Sequence, residues 1–281
     1  MDYYKRIFKP FKEFLESKSV GYINTITKHL IDQFILHLGA KLDNPVSINS
    51  YLRAVRVFLY YVMDLGYLNK FKVELIKTQK KVKPTYTDKE LEKLLKKPDL
   101  DKCNFSTYRN WVIINYLLST GNRLRTLMNL QIKDIDFENG YIHLRKTKNR
   151  KQQIIPLSKT LAEILQEYLL YRKGEPEDYI FCTYRGTKFT KDGMITAIKR
   201  YNKKRGVNKT SIHLFRHTFA KKWILAGGDI FRLQKILGYS SMEMVKEYVN
   251  MFSEDLKQDF DKFNPLEQMK GTNSNSIKMN R

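Results

Sequence analysis

The sequence carries arginine, histidine and tyrosine side chains at spacings that suit chemistry on an anion. His213 and Arg216 are three residues apart in SIHLFRHTFA, a predicted helix, so they share one of its faces. Arg123 lies two residues after a glycine, at a predicted helix boundary from which a side chain can project into a cleft. Tyr239 and Tyr248 lie in LGYSSMEMVKEYVN, a predicted turn and short helix. Guanidinium groups bind anions and a phenol can be a nucleophile, but each residue taken singly is better explained by packing or ion pairing.

A predicted β-hairpin adds a basic tip to these groups. The β-rich runs GYIHLRK and KQQIIPLS flank KTKNRK, which contains Lys146 and Lys148. By itself this tip is most simply a solvated loop. The order of all the groups along the chain is more specific than any one of them: TG-x-R, a hairpin of the form K-x-x-K-x-x-x-x-P, H-x-x-R, L-G-x-S-S, and a tyrosine nine residues after that x.

This ordered set resembles the tyrosine recombinase (phage integrase) family. The resemblance covers residues 85 to 265 and extends more loosely to the helices before them, which are similar to the core-binding domain of that family. It implies catalytic roles for the residues that match the family's nucleophile, its first arginine and its H-x-x-R pair, in turn Tyr248, Arg123, His213 and Arg216. Lys148 lies eight residues before Pro156, which fits the family's hairpin lysine better than Lys146 does.

Two positions depart from the family's pattern. The family commonly has Glu or Asp three residues after the first arginine, where this chain has Thr126, so Arg123 is less firmly oriented unless Asp134 or another acid substitutes. After L-G the family usually places His or Trp, and this chain has Tyr239. A phenol can still donate a hydrogen bond to a phosphate oxygen, so Tyr239 is included among the site residues. His217 recurs in the family's motif, but its angular position on the helix predicts packing or a buried hydrogen bond.

The chemistry of these groups agrees with the resemblance. A phenol that attacks a DNA strand forms a 3′-phosphotyrosyl bond, which keeps the energy of the phosphodiester so that the 5′-hydroxyl of another strand can reseal it. Two guanidiniums can clamp the negative charge of the transition state. Lys148 is the natural general acid for the leaving 5′-oxygen, and His213 can donate a hydrogen bond or help to deprotonate Tyr248. We therefore expect a reaction without metal, ATP or any other cofactor.

Composition indicates the same kind of partner. The 281 residues include 52 Lys and Arg against 29 Asp and Glu, a formal net charge of +23. Self-repulsion of that charge destabilises a compact state, which favours a polyanionic partner, and double-stranded DNA is the expected one. A biased coding composition is the competing explanation for so many lysines. No run of 18 apolar residues is present, so no membrane partner is expected. The isolated Cys103 and Cys182 suggest neither a zinc site nor a disulfide, and we expect a reducing, cytoplasmic compartment.

Hydrophobic periodicity predicts a mainly α fold with a small antiparallel β-hairpin, an α+β class, in two domains. We predict a helical, DNA-binding first domain over 1–78, a basic linker over 79–86 and a catalytic domain over 87–265. A capping box formed by Thr87 and Glu90 opens the second domain. Later helices are predicted at 159–172, 190–204, 212–226, 229–237 and 242–251, and DYIFCT is predicted as a short strand or extended connection. The polar, aperiodic 266–281 is predicted to be a disordered tail.

The resemblance also implies an assembly. In the family four protomers join on DNA core sites with inverted repeats, and a C-terminal segment docks on a neighbour. The apolar residues within 252–265 make this stretch the candidate exchange segment, although a helix packed on its own core explains it nearly as well. Two alternatives to a site-specific recombinase remain: a type IB topoisomerase that relaxes supercoils, and a catalytically weakened DNA-binding protein of the same fold. The two-domain layout and the apolar tail favour recombination.

Overall fold

A computed structural model describes residues 2–78, 84–145, 152–249 and 266 of the chain. The chain divides into two compact units, Met1–Lys81 and Val82–Arg281, with the division inside the predicted linker at 79–86. The predicted exchange segment at 252–265 and all of the predicted tail except Leu266 lie outside the described residues. No helix within the described part of the chain is long and apolar enough to cross a membrane.

The first unit is a helical bundle whose helices begin at residues that the sequence makes good caps. It contains α1 (Asp2–Ser17), α2 (Lys28–Gly39) and α3 (Pro45–Asp64), with a short 3₁₀ turn at Ile23–Thr25. Thr27 and Asn44 accept backbone hydrogen bonds at the starts of α2 and α3. Apolar side chains at helical spacing meet in one core, which includes Phe11, Phe14, Phe34, Leu52, Val55 and Leu59.

The second unit is built around one buried helix. It contains α4 (Asp88–Leu95), α5 (Phe105–Thr120), α6 (Leu124–Leu127), α7 (Lys159–Arg172), α8 (Lys191–Lys204), α9 (Ile212–Leu225), α10 (Ile230–Leu237) and α11 (Glu243–Val249). Helix α5 has apolar residues on all sides, and ten of its sixteen residues are buried. It packs against α4, α7, α8 and α9, so the ends of α5 and α9 are fixed relative to each other.

A three-stranded antiparallel sheet with the order β1-β2-β3 completes the second unit. Its strands are β1 (Ile135–Asp136), β2 (Tyr141–Leu144) and β3 (Gln153–Pro156). In the β2–β3 hairpin, Tyr141 pairs with Pro156 and Leu144 with Gln153. The tip of this hairpin, residues 146–151 including Lys146 and Lys148, lies outside the described residues.

The predicted fold class, mainly α with a small antiparallel sheet, is confirmed. The helices from α7 to α10 begin and end within one residue of the predicted bounds, and α11 begins within one residue of its predicted start. Strand β1 was not predicted, because two residues are too few to show an alternation. The run DYIFCT forms isolated bridges from Tyr179 to Gln131 and from Cys182 to Lys188, so it is an extended connection rather than a strand.

Candidate active site

Arg216 holds the centre of the candidate site in place. Its guanidinium is buried, with the residue 5 % exposed, and it donates to two main-chain carbonyls, 2.9 Å to Gly121 and 2.7 Å to Leu237. Gly121 is the residue after α5 and Leu237 is the last residue of α10. Carbonyls at helix C-termini lack intrahelical partners and carry the negative end of the helix dipole, so they are good ligands for a cation. Arg216 therefore joins the ends of two helices from within α9.

Arg123 is presented by the turn between α5 and α6. Gly121 has the left-handed φ of +61°, and a Cβ at this position would lie 2.7 Å from side-chain atoms of both Leu237 and Phe219. Only glycine fits such a position. The side-chain amide of the buried Asn122 donates to the Tyr116 hydroxyl at 2.7 Å and holds the turn against α5. The next residue, Arg123, is the N-cap of α6 and is half-buried.

The ring of Tyr239 lies close to both guanidiniums. Its ring centroid is 4.4 Å from Cζ of Arg216 and 5.5 Å from Cζ of Arg123, distances at which a cation is attracted to an aromatic face. Nε of Arg216 donates to the Tyr239 hydroxyl at 3.1 Å. Gly238, with φ of +61°, makes the turn that returns the chain from α10 to this position.

Tyr248 lies in the last turn of α11, and its hydroxyl contacts these groups. Its hydroxyl is 2.8 Å from the Tyr239 hydroxyl and 2.8 Å from Nδ1 of His217. The residue is only 1 % exposed, in a small apolar cluster that includes Ala220, Leu237 and Val245. A phenol at this depth is placed by packing as well as by hydrogen bonds.

A cavity of about 550 Å³ opens beside the arginines. Among the described residues, its lining includes the basic residues Arg123, Arg216 and Lys235 and contains no Asp or Glu. Gln153 of β3, which also lines the cavity, donates to the carbonyls of Lys235, at 2.5 Å, and Ile236, at 2.8 Å. This side chain ties the base of the hairpin to the end of α10. The lining therefore favours an anion, and it has room for a phosphate group.

The pKa values of two basic groups in the site are lowered, in part by neighbouring positive charges. Partial burial, and after it the charge of Arg216, lower the pKa of Arg123. Partial removal of its ring from water, followed by the charges of Arg216, Arg123 and Lys191, lowers the pKa of His213. The imidazole of His213 is therefore neutral at neutral pH while the site holds no anion.

The structure brings together four of the six predicted site residues by direct contact: Arg123, Arg216, Tyr239 and Tyr248. His213 lies on the same face of α9 as Arg216 and within its field, but no hydrogen bond joins His213 to Tyr248 among the described residues. Lys148 lies outside the described residues.

Two further residues differ from what the sequence suggested. Asp134 does not orient Arg123, because one carboxylate oxygen accepts from Arg145 at 2.5 Å and the other from the Gln131 amide at 2.9 Å. Thr126 is buried in the cavity wall. His217 was predicted to make a packing contact or a buried hydrogen bond, and the partner of that bond, Tyr248, was missed. The adjacency of His217 to Arg216 in LFRHTF is the only local signal of it.

Comparisons with known proteins place this geometry in a family. The second unit has the fold of solved recombinases. The TM-score is 0.73 to XerH site-specific recombinase bound to palindromic difH substrate, at 23 % identity over 90 % of this chain and 77 % of that one. It is 0.68 to a lambda integrase(75–356) dimer bound to a COC' core site, at 18 % identity over 86 % and 88 % of the two chains. The model of the phage integrase family matches residues 84–254, and the chain belongs to that family, which confirms the resemblance found in the sequence.

Curated relatives extend over both units. The chain is 27 % identical over 271 residues to tyrosine recombinase XerD of Staphylococcus epidermidis, covering 93 % of this chain and 91 % of that protein. It is 25 % identical over 272 residues to tyrosine recombinase XerD of Staphylococcus aureus, with the same coverage. The likeness therefore includes the first helical unit as well as the second.

Proposed function

We propose that this chain is a site-specific DNA recombinase that cuts and rejoins duplex DNA through a 3′-phosphotyrosyl bond at Tyr248. The observation that carries the proposal is the position of the Tyr248 hydroxyl, one hydroxyl group away from the buried Arg216 guanidinium. A second guanidinium, that of Arg123, lies across the Tyr239 ring beside an anion-favouring cavity. A buried phenol that only packed would have no need of this setting.

The proposed step exchanges one phosphate ester for another. The Tyr248 oxygen bonds to phosphorus, the bond from phosphorus to the 5′-oxygen breaks, and the 5′-oxygen takes a proton. Arg123 and Arg216 bind the non-bridging oxygens, where charge increases in the transition state. His213 donates a further hydrogen bond from the same face of α9. Lys148, on the resemblance alone, supplies the proton to the leaving oxygen. The reverse step releases Tyr248 and seals a strand.

The proposed partner is double-stranded DNA with inverted core sites. The net charge of +23 supports it, as do the solved XerH and lambda integrase structures, both of which hold DNA. We include in the proposal a tetramer on DNA, exchange of the 252–265 segment and a cytoplasmic location. Relaxation of supercoils without strand exchange is not favoured, because the relatives that match over both units are named recombinases.

A suicide substrate tests the function. A library of nicked duplexes with a randomised core site loses its short 5′-hydroxyl fragment on cleavage, so the covalent adduct accumulates and can be captured and sequenced. We expect the wild-type chain to yield an adduct, Tyr248→Phe to yield none, and Tyr239→Phe to yield an adduct still linked through residue 248. An adduct that survives in Tyr248→Phe would contradict the assignment of the nucleophile, and no adduct from any duplex would indicate a DNA-binding protein.

Two-site recombination of the captured sequence then separates strand exchange from relaxation. Plasmids with two copies of the site should give recombinants, and supercoiled plasmids without a site should stay supercoiled. The opposite pattern would indicate a topoisomerase. Adduct formation in excess EDTA should equal that in magnesium, since none of the proposed groups needs a metal.

A further inference from the structure

Two groups among the described residues contact the hydroxyl of Tyr248, and they differ in how readily they can take up a proton. One is the hydroxyl of Tyr239, at 2.8 Å, and the other is Nδ1 of His217, at 2.8 Å. The His217 and Tyr248 ring centroids are 5.6 Å apart with an interplanar angle of 43°, so the rings are not stacked and the contact is made through the polar atoms. The hydroxyl that must lose its proton thus touches one imidazole nitrogen directly.

The donors and acceptors give this contact a direction. A guanidinium only donates, so the Tyr239 oxygen accepts from Nε of Arg216. A phenol whose oxygen already accepts from a cation is a better donor of its own hydrogen. Tyr239 is therefore suited to donate to the Tyr248 oxygen and to stabilise negative charge on it, while the Tyr248 hydrogen is directed to His217. With His217 in the tautomer whose Nδ1 carries no hydrogen, donation runs in one sense from Arg216 through Tyr239 and Tyr248 to His217.

We propose that His217 is a catalytic residue of this recombinase, the base that takes the phenolic proton of Tyr248, with Tyr239 as the donor that stabilises the phenolate. Imidazole, with an unperturbed pKa of about 6.5, can hold a proton near neutral pH, whereas a neutral phenol cannot. During cleavage the bond from the Tyr248 oxygen to its hydrogen breaks, the hydrogen passes to Nδ1 of His217, and the oxygen bonds to phosphorus. During rejoining the proton returns to the same oxygen.

His217 fits this step better than His213 does. Both lie on α9, but His213 faces the arginines and Lys191, whose charges disfavour its protonation. No hydrogen bond between His213 and the Tyr248 hydroxyl is present in the described part of the chain, whereas His217 makes one at 2.8 Å. The two histidines therefore divide the work, with His213 on the phosphate side and His217 on the nucleophile side. This division rests on the proposed function.

The test combines two changes: removal of the base at position 217 and an increase in the acidity of the phenol at position 248. His217→Asn keeps an acceptor close to the position of Nδ1 but cannot carry the proton. Single-turnover adduct formation on the captured suicide duplex should fall about 10²-fold, the usual contribution of a general base. A fluorinated tyrosine at position 248, whose phenol ionises more readily, should recover about tenfold or more of that loss in the Asn variant and change the wild-type rate much less.

The rescue separates chemistry from structure. If the fluorinated residue changes wild type and His217→Asn by the same factor, or if His217→Asn reacts within about twofold of wild type, His217 is not the base. Affinity for the same duplex and the melting temperature should match wild type, and His217→Gln replaces the Asn variant should that one fail to fold. Wild-type adduct with an unaffected His217 variant contradicts this inference alone, whereas no wild-type adduct contradicts the proposed function.

A second arm removes the donor instead of the base. Tyr239→Phe keeps the ring close to both guanidiniums but loses the hydroxyl that contacts Tyr248. Adduct formation should slow by about tenfold, the worth of a hydrogen bond of about 1.4 kcal/mol to the transition state, and the fluorinated nucleophile should recover part of the loss. An unchanged rate in Tyr239→Phe would contradict its role as the donor.

Discussion

At the scale of single residues, Arg216 combines a structural task with the role toward phosphate that we propose for it. Its planar fork reaches two helix C-terminal carbonyls and the Tyr239 hydroxyl at once, and the residue also lines the cavity. A lysine has the charge but only a single point of attachment. The geometry around Arg216 thus demands arginine even before its role toward phosphate is considered.

Replacement of Arg216 by lysine should therefore impair both stability and cleavage. At least one buried carbonyl, that of Gly121 or Leu237, would lose its donor, at a cost of about 1–3 kcal/mol in the free energy of unfolding. Adduct formation should slow by about 10³-fold, as when an arginine is lost in other phosphoryl transfers. Urea unfolding and single-turnover cleavage measure the two effects. Arg125→Lys, at an exposed neighbouring position, is the matched control and should change neither.

Binding of DNA should raise the pKa of His213 and draw in a proton. In the free protein partial burial and three nearby cations lower this pKa, so in mildly acidic solution more of the imidazole is neutral than in an unperturbed histidine. A phosphate beside the arginines offsets their charge, and the imidazole then becomes protonated on binding. The uptake should disappear once the pH exceeds the raised pKa of His213 in the complex, because the imidazole is then neutral in both states.

Calorimetric titration in buffers with different heats of ionisation measures that uptake directly. His213→Gln should abolish it, and His143→Gln, whose ring already lies 3.9 Å from the carboxylate of Asp136, should leave it intact. Proton release on binding, or an uptake that persists in His213→Gln, would show that the phosphate does not lie beside His213.

At the scale of elements, the site depends on ends of helices and strands rather than on their middles. The ends of α5 and α10 meet on Arg216, the start of α6 presents Arg123, and β3 is fastened to α10 by Gln153. Such ends carry the unpaired main-chain groups that a cation or an amide can use. The sequence marks α5 most clearly, through its caps and its apolar residues. This helix positions the site, but none of its own side chains is a predicted site residue.

Gln153 should therefore affect catalysis from outside the reacting groups. Gln153→Leu removes the donor to the carbonyls of Lys235 and Ile236, which should cost about 1 kcal/mol of stability and slow cleavage by releasing the hairpin base from α10. Gln166→Leu, at an exposed position of α7, is the control and should leave both unchanged. Unfolding in urea and adduct rates distinguish them, and equal rates for the two variants would show that this fastening has no part in catalysis.

Local signals predict most of these elements, and tertiary contacts supply the rest. The Thr87–Glu90 capping box and the Gly121 C-cap mark helix ends in the sequence, and both are present in the structure. Strand β1 has no such mark. The contact between His217 and Tyr248 could not be predicted, because it requires α11 to pack against a side of α9 that is turned about 100° from Arg216. The order of motifs indicates which residues share a site, but the partners within it depend on packing.

At the scale of the whole molecule, the charge of +23 dominates encounter with DNA. Each phosphate that a lysine or arginine neutralises releases counterions, and the logarithm of the affinity falls with the logarithm of salt with a slope of about −0.9 per phosphate. Between about 50 and 200 mM salt the affinity should drop by about 10³-fold or more. Binding of a labelled duplex at several salt concentrations gives the slope. A nearly flat dependence would exclude an extended phosphate interface.

The depth at which the attacking oxygen of Tyr248 lies has a consequence for the safety of the genome. In the free protein Tyr248 is only 1 % exposed, so the oxygen that we propose as the nucleophile lies away from bulk water. Hydrolysis of the ester would leave a broken DNA strand that the protein could not reseal, because the energy kept in the ester would be lost. Protection of the ester from water keeps the DNA end attached to the protein until the 5′-hydroxyl of another strand arrives. An interrupted reaction then leaves an intermediate that can still be resealed.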